Sequence, residues 1–184
     1  MLKINYLSSI ERLFAHLVDE GWSRLCIITD SQSRDNKAGD PVRKNIYTEM
    51  LEKYDLRIND KNWIMVPSDC PDYMSYVHKR CVEVLSADKS VDALIVQSAS
   101  EVPAVYKAAN DCGRTIGKDI AISTFDRVPI LNYMVPEVTH IYEPVEKIAE
   151  MLTNEVVGII NEKSPVDKLS ACEIATELAI MPST

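Results

Sequence analysis

Basic residues and glycines are both in short supply in this sequence. Against 28 Asp and Glu stand 20 Lys and Arg, a formal net charge of -8 over 184 residues. Such a chain lacks the clustered positive face that grips phosphates, so duplex binding by these residues themselves is not expected. Its five glycines form no Gly-rich loop, which leaves no cradle for a dinucleotide or a nucleoside triphosphate. No apolar run approaches the roughly 18 residues that a membrane span needs. The opening MLKINYLSSIERLF is interrupted by Glu11 and Arg12 and precedes no small-residue cleavage site, unlike a signal peptide. The five cysteines (Cys26, Cys70, Cys81, Cys112 and Cys172) are odd in number, scattered, and free of any CxxC pair. They read as small apolar residues in a reducing cytoplasm, not as a disulfide framework or a zinc site. His16, His78 and His140 sit in helical or strand-like segments, and HExxH, GxSxG and P-loop motifs are missing. No enzyme activity, cofactor or metal is therefore expected.

What is present is a regular alternation. Hydrophobic residues make up 46% of the chain, enough for a substantial core at this length. In SSIERLFAHLVDEG, the residues Ile10, Leu13, Phe14, Leu17 and Val18 form one apolar helical face, with Ser8 and Glu11 spaced as a capping box and Gly21 as the stop. A short apolar strand follows, Leu25 to Thr29. After a polar loop, Asp40 and Pro41 can open a second helix whose Val42, Ile46, Met50, Leu51 and Tyr54 face inward. The pattern repeats: a strand at Ile64 to Val66, then a helix carrying Tyr73, Tyr76, Val77, Cys81, Val84 and Leu85 on its inner face. VDALIVQ reads as a strand, EVPAVYKAANDCGR as a helix that tolerates Pro103 in its first turn, and DIAISTFD as a strand again. Strands alternating with helices of this length predict an α/β fold: a doubly wound parallel sheet with helices on both faces.

In such sheets ligands bind beyond the carboxyl ends of the strands. The strand ends here are polar: Thr29-Asp30, Ser68-Asp69, Gln97-Ser98 and Phe125-Asp126. A single aspartate at a strand end is usually a turn cap, but four polar ends along one edge make a rim.

The detailed order of segments is also familiar. DALIVQSASEVPAVYKAANDCGRTIGKDIAISTFDRV, together with AHLVDEGWSRLCIITD before it and CEIATELAIMPST after it, resembles the lactose-repressor/galactose-repressor (LacI/GalR) family of transcriptional regulators. The likeness covers nearly the whole chain. It implies a type I periplasmic-binding-protein-like architecture, in which two α/β subdomains joined by three crossovers hold a small ligand between them. On this resemblance, residues 1–184 are a single α/β sensor subdomain with crossover segments. Residues 8–139 correspond to the core βα units, 140–165 to a crossover strand and helix, and 169–184 to the closing strands. Arg43 stands where the family has an arginine that hydrogen-bonds ligand oxygens, and Asp126 matches the first aspartate of its Phe-Asp-Asp turn. Asp30, Asp69, Ser98 and Glu143 would surround them. The sequence departs from the family pattern at four places: Ser98-Ala99 replaces Asn-Asp, Arg127 a second Asp, Ile46 a glycine and Met181 an arginine.

The function implied is that of a cytoplasmic ligand-sensing fragment of a LacI-type regulator. It would bind a sugar-like effector without chemistry and meet DNA only through a helix-turn-helix domain outside this chain. A sensor module of another multidomain protein and a truncated association module are the alternatives. One feature of the residues themselves concerns partners. In EPVEKIAEMLTNEVVGIIN, the residues Val145, Ile148, Ala149, Leu152, Val156, Ile159 and Ile160 make a continuous apolar stripe. It should either fold back on the sheet or pack against a second copy, and a homodimer is the favoured expectation.

Overall fold

The computed structural model describes residues 2–30, 41–56, 58, 60–162 and 172–184. In chain order the elements are β1 (Leu2–Asn5), α1 (Leu7–Asp19), β2 (Leu25–Asp30), α2 (Pro41–Lys53), β3 (Trp63–Val66), α3 (Tyr73–Ala87), β4 (Ala93–Val96) and α4 (Val102–Asp111). There follow β5 (Ala121–Phe125), β6 (Thr139–Tyr142), α5 (Val145–Glu162), β7 (Cys172–Ala175) and β8 (Glu177–Ala179). A 3-10 turn, Pro129–Tyr133, lies between β5 and β6.

The described strands form a six-stranded sheet in the order β3-β2-β4-β5-β6-β8 and a separate pair, β1-β7. The first five strands of the large sheet run parallel and β8 closes its edge antiparallel to β6. The fold is thus the doubly wound α/β layer read from the sequence, with an antiparallel edge strand added.

Alternation along the strands sorts the core into two layers. Leu25, Ile27, Ala93, Ile95, Ala121, Phe125 and Ile141 pack with α1 and α2. Cys26, Ile28, Leu94, Val96 and Ile122 point the other way and pack with α3 and α4. Period-two geometry delivers neighbouring residues to opposite faces, so a strand buried on both sides is apolar throughout. On α1, Ile10, Leu13, Phe14 and Leu17 are all buried, each worth roughly 1.5–3 kcal/mol relative to exposure.

Three local expectations are corrected. The capping box of Ser8 and Glu11 does not form, because the helix already begins at Leu7 and Tyr6 offers no side-chain cap. Asn5 Oδ1 instead accepts the Leu7 N–H at 2.9 Å, and the chain turns straight from β1 into α1. Tyr73 is exposed; as the first residue of α3 it precedes the buried face, which starts at Val77. Finally, α5 does not fold back: no residue from Val145 to Ile160 is buried. Other signals hold. Gly21, at φ +90°, ends α1, with Trp22 N–H bonded to the Leu17 carbonyl at 2.8 Å in the pattern that left-handed C-caps allow. Asp72 caps α3 by accepting the Ser75 N–H, and its bonds to Ser75 hold its carboxyl below the usual range. The proposed cap Asp40 lies outside the described residues.

Candidate functional site at the carboxyl edge

Strand order decides which residues share the carboxyl edge of the large sheet. Ile28 pairs with Val96, Val96 with Thr124, and Thr124 with His140. Asp30 ends β2, Asp126 directly follows β5, Tyr142 ends β6 and Ser98 lies two residues past β4. Parallel strands sit about 4.8 Å apart, so the ends of β2 and β5, two strands apart in the sheet, are separated by roughly 10 Å. The large sheet's carboxyl edge therefore carries the polar rim read from the sequence.

A pocket on that edge has a volume of about 220 Å³ and is lined by Asp126, Arg127, Tyr142, Glu143, Val145 and Glu146. It brings two of the expected residues, Asp126 and Glu143, to one cavity. Each arrives there for a local reason. Asp126 leaves β5 at φ +68°, a left-handed turn that Asp tolerates better than most side chains; it bends the chain off the sheet where a straight strand would continue. Glu143 is the first residue past β6. Tyr6 donates its hydroxyl to Glu143 Oε1, which orients that carboxylate from across the chain. Tyr142 donates to Glu177 Oε2 at 2.7 Å, and this carboxylate, with some desolvation, raises the phenol above its usual pKa.

The remaining expected residues are placed as follows. Ser98 is half-buried after β4 and shares a 2.7 Å hydroxyl contact with Ser100. Asp69 is exposed beyond β3, three strands from β5 and outside the pocket. The side chains of Asp30 and Arg43 lie outside the described residues, although their backbones end β2 and open α2. Sequence reasoning did not select Tyr6, Tyr142, Arg127 and Glu146. Tyr142 and Arg127 flank chosen strand-end residues, so widening the rim by one position would have found them. The Tyr6 contact spans 137 positions and left no local signal. Among the described residues, no group of three or more His, Cys, Asp and Glu is arranged to hold a metal ion.

Next to this pocket the chain passes three times between the large sheet and the β1-β7 pair: at Tyr6, at Glu143-Pro144 and at Thr176. The three passages are tied together. Besides the Tyr6–Glu143 bond, Thr176 N–H donates to the Asn5 carbonyl at 3.0 Å, and Ser9 Oγ donates to the Thr176 carbonyl at 2.7 Å. The pocket thus sits at a three-stranded waist.

Comparison with known proteins bears on the family and the fold. The family described as "periplasmic binding protein-like domain" matches residues 14–177. The ribose operon repressor of Halalkalibacterium halodurans is 29% identical over 101 residues, 55% of this chain and 30% of that repressor. A LacI family transcriptional regulator from Arthrobacter sp. FB24, solved in complex with lactose, superposes with a TM-score of 0.80 at 15% identity, covering 100% of this chain and 66% of its own. A regulatory protein of the LacI family from Chloroflexus aggregans gives 0.79 at 20% identity, covering 99% of this chain and 62% of its own. The chain therefore spans under a third of the curated relative and under two thirds of the solved regulators. With a family match over most of its length, the chain belongs to the periplasmic binding protein-like domains.

Proposed function

We propose that residues 1–184 are the ligand-sensing part of a LacI-type transcriptional regulator and bind a sugar-like effector at the carboxyl edge of the large sheet, without acting on it chemically. The observation that carries this reading is the meeting of Asp126 and Glu143 in one pocket at the ends of neighbouring strands. Ionised carboxylates accept hydrogen bonds only, and two of them at the ends of adjacent strands suit the hydroxyl donors of a sugar. Ser98, past the end of the neighbouring β4, adds a hydroxyl on the same edge, and the family resemblance assigns Arg43, Asp30 and Asp69 to the same ligand. The three-stranded waist beside the pocket is where closure over a ligand would be felt. The homology to a ribose operon repressor and the lactose bound to the Arthrobacter regulator favour a saccharide. DNA contact falls to a helix-turn-helix outside these residues, consistent with the net charge of -8. The sensor acts as a homodimer in a cytoplasmic setting.

Calorimetric titration with ribose, lactose and a panel of related sugars tests the reading. One of them should bind saturably, unchanged in composition after recovery, and at least tenfold more weakly to Asp126→Ala. If no sugar in the panel binds or raises the unfolding temperature, the saccharide assignment is wrong.

A further inference from the structure

The charge around the carboxyl-edge pocket narrows the kind of sugar it takes. Three carboxylates, Asp126, Glu143 and Glu146, line its volume of about 220 Å³ together with one guanidinium, Arg127. They arrive on separate elements: Asp126 follows β5, Glu143 follows β6, and Glu146 lies in the first turn of α5. Among the described residues no ion pair joins Arg127 to any of the three. The N-terminus of α5 offsets about half a charge, and the balance around the pocket stays negative. Tyr6 takes up Oε1 of Glu143, and a carboxylate has a second oxygen with which to accept. Tyr142, whose hydroxyl is engaged by Glu177, and Val145 complete the lining.

Building on the saccharide reading, and dependent on it, we infer that the effector is an amino sugar: a monosaccharide whose protonated primary amine is held by Asp126, Glu143 and Glu146. A hydroxyl donates once and also accepts, whereas an ammonium donates three times and accepts nothing. It is therefore the better complement to a group of carboxylates, and its N–H···O bonds are charge-assisted. Arg127 supplies the donor that the remaining sugar oxygens need. The same charge balance disfavours a sugar phosphate. The volume of about 220 Å³ lies below the roughly 300–1,000 Å³ of pockets for drug-sized ligands, which favours one sugar ring over two. Asp126 and Glu146 are exposed, so water screens the attraction and the preference should be several-fold, not thousandfold.

Calorimetric titration of the full chain with matched pairs tests this: glucose with glucosamine, galactose with galactosamine, and mannose with mannosamine. The titrations run at about pH 6.5, below the pKa of such an amine. In at least one pair the amine should bind fivefold or more tightly than the neutral hexose. Its N-acetyl derivative, which keeps the nitrogen and loses the charge, should fall back to the neutral sugar's affinity or below. Glu146→Gln should reduce the preference for the amine at least twofold, and Glu143→Gln serves if that variant does not fold. The amino-sugar assignment is overturned if every neutral hexose binds as well as its amine, if the N-acetyl derivative keeps the gain, or if the preference survives both substitutions. Tighter binding of glucose 6-phosphate than of glucose would overturn it as well. In each of these cases the bound neutral sugars leave the saccharide reading standing, whereas a failure of every sugar to bind removes both.

Discussion

At the scale of single residues, Asp126 combines two separable roles. Its φ of +68° is a conformation that costs most side chains about 1 kcal/mol or more and glycine almost nothing. Its carboxylate is the proposed hydroxyl acceptor. Asp126→Gly should therefore stay within about 1 kcal/mol of the parent in urea unfolding, or exceed it, while losing sugar affinity. Asp126→Ala should lose both. Equal sugar affinity in the parent and the glycine variant would remove the carboxylate from the site. The cysteines give a second contrast at this scale. Burial pushes the Cys81 thiol up to about 12 and raises Cys26 well above its ordinary value, whereas Cys70 and Cys112 are only partly buried. The thiolate is the reactive form. Iodoacetamide at pH 8 should modify Cys70 and Cys112 in the native protein and reach Cys26 and Cys81 only after denaturant is added. Mass spectrometry of the peptides reads the order.

At the scale of elements, the alternating βα core was legible because its strands are buried on both faces. Ala93–Val96 and Ala121–Phe125 read as short continuous runs, and the helices between them carry one apolar stripe each. What escaped detection depends on distant contacts. The start of α1 is fixed by Asn5 and by the bond from Ser9 to Thr176, 167 positions away, and no capping motif records that. Of the site, Asp126 and Glu143 were readable as strand ends, while the Tyr6 bond that orients Glu143 was not. Neither was the short lead-in to β5, where Gly117 sits at φ +77° with its missing Cβ only 2.2 Å from the Pro182 carbonyl oxygen. That contact is to backbone, so it cannot relax by turning a side chain. Gly117→Ala should cost more than about 1 kcal/mol from the backbone conformation alone, with the clash added to it. A midpoint in urea unchanged from the parent would mean that the closing segment does not pack against this turn.

At the scale of the whole molecule, the large sheet is covered on both faces while the elements beyond the waist are not. The β1-β7 pair is parallel and two-stranded, and pairs of that kind are marginal without a further layer. Along α5, Val145 is 61% exposed and Ile160 69%, with Leu152, Val156 and Val157 exposed between them. An apolar stripe of this length marks an association surface, and a second copy, offering the same stripe, can cover it by two-fold symmetry. The expectation has two parts that must agree. Sedimentation at micromolar concentration should give a dimer, and Leu152→Asp combined with Val156→Asp should give a monomer of unchanged helix content. In the dilute monomer, Leu152→Ala should cost less than about 0.5 kcal/mol, as exposed sites do, in contrast to the 2–5 kcal/mol of a buried leucine. At dimer-forming concentrations the same substitution should lower the unfolding temperature. A parent chain that sediments as a monomer throughout, or a Leu152→Ala cost independent of concentration, would show that two copies do not meet through α5.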